Sequence, residues 1–155
     1  MSIWRPQQQI KVKTLGLHWR QGRLLAFEVY DDAGNIKGVR PLGGSIEFGE
    51  TWQDALIREF REELEIEVSI VSAPFVMENI YVHEGVTGHE VLYIAEVTFP
   101  TGAFDGEEKI TFAEDNGELF TARWFDLSDL DTGGLELYPT GLKERVLHTR
   151  KGVLP

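Results

Sequence analysis

The chain has 155 residues, the size of one compact domain, and its 42% apolar and 11% aromatic content excludes intrinsic disorder and low-complexity architectures. Its 26 acidic against 15 basic residues leave a formal charge of −11, which disfavours generic binding to nucleic-acid backbones and anionic membranes. No cysteine is present, so disulfides, thiolate metal sites and cysteine nucleophiles are excluded, and a reducing compartment, the cytoplasm, is expected.

The N-terminal stretch, Met1 to Pro6 and then three Gln, lacks the continuous apolar run of a signal peptide, and no window approaches the roughly 20 apolar residues of a membrane span. Apolar and alternating stretches from Ile10 to Leu17 and from Leu24 to Tyr30 flank Gln21-Gly22 and read as a hairpin. Asp31 to Asn35 is a turn cluster, and Val39 to Leu42 a short strand before the pair Gly43-Gly44. Thr51-Trp52-Gln53-Asp54 has capping-box spacing and opens a run without Gly or Pro as far as Leu64, which predicts a helix. Strand-like runs follow at Glu67 to Val71, Val76 to His83, Glu90 to Phe99 and Phe120 to Leu127. Residues 100 to 118, rich in Gly and acids, read as a long functional loop, and Leu142 to Leu147 as a short C-terminal helix. Without internal repeats or regular βαβ alternation, the pattern predicts one α/β (α+β) domain over residues 1–155, a mixed sheet with helices on its faces.

On a wheel of about 100° per residue, Leu56, Ile57, Phe60 and Leu64 share one arc of the predicted helix and Glu59, Glu62 and Glu63 the opposite one. Like charges at i, i+3 and i+4 repel by a few tenths of a kcal/mol per pair. A solvated acidic face is the plain explanation for an isolated Glu-x-x-Glu-Glu. Clustered carboxylates are also what Mg²⁺ or Mn²⁺ requires, and a cation would supply the positive charge that the composition lacks.

The surrounding spacing favours the second explanation. Gly44, five residues, Glu50, seven residues, then Arg58-Glu59-Phe60-Arg61-Glu62-Glu63-Leu64-Glu65-Ile66 resembles the signature of the Nudix (MutT-like) hydrolase family. Matching its six charged or glycine positions by composition alone has a probability on the order of 10⁻⁴. The resemblance implies a mixed β-sheet sandwiched between helices and a divalent-cation-dependent hydrolase that cleaves the diphosphate linkage of a nucleoside diphosphate joined to another group. It implies Glu59, Glu62 and Glu63 as metal ligands, Glu62 and Glu63 also serving catalysis, and Glu50 as an accessory carboxylate at the metal. Arg58 would orient the cluster, and Gly43 and Gly44 would let the preceding loop reach the site.

A further ligand or general base is expected from the segment Asp105 to Glu108, with Glu108 favoured and Glu90 as the second candidate. His18, His83, His89 and His148 are too scattered to predict a histidine metal site. Tyr30, Tyr81 and Phe104 are candidates for stacking on a base, and Leu137 to Leu142 for bordering the pocket. Nucleoside triphosphates, ADP-ribose and other sugar nucleotides, and dinucleoside polyphosphates remain open as substrates. A non-catalytic nucleotide sensor on the same fold is the alternative, and a second copy of the chain, as a homodimer, the one macromolecular partner considered. One position departs from the signature: Glu65 stands where the family has glycine, so either the helix exits differently or Glu65 carries a left-handed backbone at a cost of roughly 1 kcal/mol.

Overall fold

In chain order the elements are β1 (Ile10–Leu17), β2 (Trp19–Arg20), β3 (Arg23–Tyr30), β4 (Ile36–Arg40), β5 (Gly43–Ser45), α1 (Trp52–Leu64), β6 (Ser69–Ile70), β7 (Phe75–His83), β8 (Val86–Thr98), β9 (Lys109–Ala113), β10 (Leu119–Phe125), a 3-10 turn (Leu127–Asp129), β11 (Glu136–Leu137) and α2 (Leu142–Val153). They come from a computed structural model that describes residues 3–114 and 116–153. Met1 and Ser2 of the N-terminal stretch, and Asp115 of the expected long loop, lie outside the described residues.

The strands form two sheets. In the first, β8 lies between β1, which runs parallel to it, and β7 and β6, which run antiparallel, with β5 added beyond β1. The second has the order β11-β4-β3-β10-β9, with β2 paired to the start of β3. One apolar cluster joins Leu15, Leu92, Ile94 and Met77 of the first sheet to Leu24, Ala26 and Val39 of the second and to Leu142 and Val146 of α2. Leu25, Ala122 and Trp124, on the other side of the second sheet, pack with Leu56, Phe60 and Leu64 of α1. Each of these α1 side chains is buried, worth roughly 1.5–3 kcal/mol apiece relative to exposure. They lie on the apolar arc of the wheel, and burying that arc fixes how the helix is rotated.

Both ends of α1 follow local rules. Thr51 Oγ1 accepts the N–H of Asp54 at 3.1 Å, the cap expected from its spacing. At the other end Glu65 adopts φ 57°, ψ 35°, a left-handed residue whose N–H reaches Arg61 O at 3.0 Å, so the helix closes where the family's glycine would close it.

Several expectations are corrected. Residues Ile10–Leu17 do not pair with β3: the chain changes sheets at His18, and the hairpin across Gln21-Gly22 is β2–β3. Segment 100–118 is not one loop, because Lys109–Ala113 alternates buried Ile110 and Phe112 with exposed neighbours and pairs with β10. Only Ser69–Ile70 of the run Glu67 to Val71 is extended, and the last helix continues to Val153. Among the described residues no helix is long and apolar enough to cross a membrane.

Candidate active site

A cleft of about 710 Å³ is lined by both sheets and α1. Strands β1, β7 and β8 supply Lys13, Asn79, Tyr81 and Glu90, the second sheet supplies Phe27, Arg40 and Phe120, and α1 supplies Arg58, Glu59, Glu62 and Glu63. Trp4 lies at its edge, where an ion pair of Arg5 with Asp32 fastens the N-terminal segment.

The turn before α1 brings its backbone against the helix. A side chain at Gly43 would lie 1.9 Å from Thr14 O, and one at Gly44 would lie 2.2 Å from the carboxyl carbon of Glu59. Both glycines are therefore required by close approach, and Gly44 forms the wall on which the Glu59 carboxylate rests.

Arg58 organises this wall. Its Nε donates to Glu50 Oε2 at 2.7 Å and its Nη2 to Glu50 Oε1 at 2.9 Å, a bidentate pair. Nη2 also reaches Ser45 O at 3.0 Å, while Nη1 donates to Glu59 Oε1 at 3.0 Å and to Glu62 Oε2 at 3.2 Å. One guanidinium thus ties the glycine turn to two of the three clustered glutamates. Hydrogen bonds from Arg58, and then from the Glu47 N–H, hold Glu50 down at about 2. Both Glu50 oxygens are engaged, by Arg58 and by the Glu47 N–H, and so Glu50 anchors Arg58.

Glu63 instead faces other carboxylates, those of Glu114, Glu59 and Glu62. Burial, reinforced by Glu114 and Glu59, pushes its carboxyl up to about 9, and burial also raises Glu59 although Arg58 stands beside it. Half-buried oxygen donors in this crowded arrangement fit a hard divalent cation, whose charge would remove the repulsion that raises Glu63.

Glu114, at the end of β9, was not among the expected residues. It follows the alternation Ile110, Phe112 by two positions, and recognising that short strand would have carried it to the cleft. Glu108 lies on the exposed turn before β9 and does not line the cleft. Glu90 does line it, 1% exposed and bound by Lys13, Arg40 and Asn79. Tyr30 and Tyr81 line the cleft, and Tyr138 borders it from the segment 137–142; Phe104 instead packs on Phe99. Asp32, His83 and Glu84 bring ligand atoms within 4.8 Å of one another, a grouping hidden by their separation in sequence. Arg5 engages Asp32, and Lys37 Nζ donates to His83 Nδ1 at 2.9 Å.

The architecture has many solved counterparts. The solution structure of the E. coli ORF135 protein matches with a TM-score of 0.60 at 20% identity, covering 96% of this chain and 97% of its own. An ADP-ribose pyrophosphatase from Streptococcus suis matches with 0.53 at 16% identity, covering 95% and 94%, and a UDP-X diphosphatase with 0.60 at 11% identity, covering 97% of this chain and 67% of its own. At such identities the likeness concerns the fold. No curated protein sequence matches the chain. The family itself is shown by the NUDIX domain profile, which matches residues 14–145 and so takes in both sheets, the glycine turn and α1. The chain is therefore a member of the Nudix hydrolase family.

Proposed function

We propose that the protein is a cytoplasmic pyrophosphohydrolase that requires Mg²⁺ or Mn²⁺ and cleaves the diphosphate linkage of a nucleotide-derived substrate. The observation that carries this reading is the cluster of Glu59, Glu62, Glu63 and Glu114, beside Arg58, lining one cleft of substrate size. Glu59, Glu62 and Glu63 would hold the cation, and Arg58, fixed by Glu50, keeps Glu59 and Glu62 on the cleft side of α1. When bound, the cation supplies Lewis acidity at a phosphoryl oxygen and lowers the pKa of a bound water. Glu114 takes the part expected of Glu108, a carboxylate from another strand that can accept a proton from the attacking water. A covalent nucleophile is not needed, and one chain supplies every group named. The neighbours that act on ADP-ribose and UDP-X support a nucleoside diphosphate joined to a further group as the substrate class.

A panel of nucleoside triphosphates, ADP-ribose, other sugar nucleotides and dinucleoside polyphosphates, incubated with Mg²⁺ and read as phosphate released after phosphatase coupling, tests the reading. Turnover of one class well above the rest is expected. Binding without turnover across the panel would replace the enzyme by a nucleotide sensor.

A further inference from the structure

Across the cleft from the glutamates lies a second charged group that the hydrolytic chemistry above does not use. Glu90, buried at 1% exposure, accepts on Oε2 from both Lys13 Nζ at 3.1 Å and Arg40 Nη2 at 3.2 Å, and on Oε1 from Asn79 Nδ2 at 3.2 Å. A structural ion pair needs one cation. Here one carboxylate holds two, so the group carries an excess of one positive charge, in a protein whose overall charge is −11. Both cations line the cleft, and each has donors beyond the one given to Glu90. Their mutual repulsion contributes to the lowered pKa of Lys13, after burial, and an anion placed between them would relieve it.

The group is also placed within reach of the reaction. Lys13 pairs with Ser45 in the β1–β5 ladder, and the next residue of β5, Gly44, carries the Glu59 carboxylate. Lys13 and Arg40 line the same cleft as Glu59, Glu62 and Glu63.

We propose that Lys13 and Arg40, set side by side by Glu90, are the seat for the substrate phosphate that is not attacked. Glu90 is the positioning residue, and the seat fixes which of the two phosphates faces the glutamates. This rests on the pyrophosphohydrolase reading for the identity of the ligand.

Inorganic pyrophosphate, titrated calorimetrically with Mg²⁺ present, probes the seat without presuming a base. Lys13→Gln and Arg40→Gln are each expected to weaken it by about ten-fold or more, whereas Lys13→Arg stays within about three-fold of the parent. Arg61→Gln, which removes an equal charge from the exposed pair with Glu67, leaves affinity unchanged. With the substrate found in the panel, the glutamine variants raise KM by about ten-fold while kcat and the Mg²⁺ half-saturation stay within about three-fold. Folded glutamine variants that bind pyrophosphate like the parent overturn the seat, as does a parent that fails to bind it at millimolar concentration. Should neither glutamine variant fold, parent affinity that does not fall between about 50 and 300 mM salt overturns it equally. Loss of pyrophosphate binding in variants of a parent that hydrolyses nothing in the panel would sink the hydrolase reading and keep the seat. Normal binding in variants of an active parent does the reverse.

Discussion

Two glutamates face the same cleft and titrate in opposite directions. Burial raises both carboxyls. At Glu90, Arg40, Lys13 and the Asn79 amide outweigh burial and bring the pKa below its ordinary value, whereas at Glu63 the neighbours are Glu114, Glu59 and Glu62, and the carboxyl climbs to about 9. The protein satisfies one charge from its own cations and sets the other among like charges. Depth alone does not separate a structural carboxylate from a functional one; the sign of its neighbours does.

The most severe way to break the contrast is to remove the cation proposed for Glu63. Excess chelator is expected to abolish turnover, and persistence of activity would refute the metal assignment. Mg²⁺ should also raise thermal stability by mass action, by about 2.7 kcal/mol at one hundred times its Kd. Without divalent cation, the raised pKa makes Glu63's contribution fully present below about pH 4.5 and lost as pH rises through about 9, because the folded state holds a proton the unfolded chain has released. Glu90 has the opposite sign, since its contribution is lost on acidification below its ordinary value of 4.5. Melting curves at pH 5 and 8.5, with chelator and with Mg²⁺, should show the metal-free protein weakening toward alkaline pH and Mg²⁺ removing that slope.

Glu63→Gln comes next. It keeps the shape and deletes the charge, and kcat is expected to fall by roughly 10²-fold or more. The fold should survive and the alkaline slope disappear in the metal-free variant. A rate close to the parent's would move the cation ligand elsewhere in the cluster.

Glu90→Leu tests the other side of the contrast. It leaves Lys13 and Arg40 facing each other with their shared counter-ion removed, and breaking a buried pair in this way costs about 3–5 kcal/mol. Their side chains keep 20% and 17% exposure, which places the expected loss near the lower end of that range. Urea unfolding measures it, and a change below about 1 kcal/mol would mean that the cations find other partners.

The same contrast explains what the sequence reveals and what it hides. Thr51, the apolar arc of α1 and the glycine turn are legible because cap, periodicity and motif act within about twenty residues. Pairing of β1 with β8 joins residues some eighty positions apart, and nothing local in Ile10–Leu17 separates it from a hairpin partner of β3. The surroundings of Glu114 and Glu90 are hidden for the same reason. Their surroundings come from elements distant in sequence, Glu63 of α1 for one and Lys13 with Arg40 for the other, so residue type alone does not reveal them.

The smallest effect is expected at Glu65, which lies next to the cluster in sequence yet belongs to neither carboxylate class. Its backbone is left-handed at φ 57°, a conformation in which a Cβ is crowded, and its side chain is exposed. Glu65→Gly should relieve that strain and stabilise the protein by up to about 1 kcal/mol, offset in part by the greater unfolded-state freedom of glycine. Activity should barely change, because the helix already ends there and the N–H of residue 65 can still reach Arg61 O. If Glu65 instead adds charge to the cation site, the same substitution would weaken metal affinity. Glu65 does not line the cleft that Glu59, Glu62 and Glu63 line, which sets it apart from the cluster. A cation titration of Glu65→Gly beside the parent decides the matter: coincident curves keep Glu65 a helix-ending residue, and a several-fold shift to higher Mg²⁺ without loss of stability would make it part of the metal site.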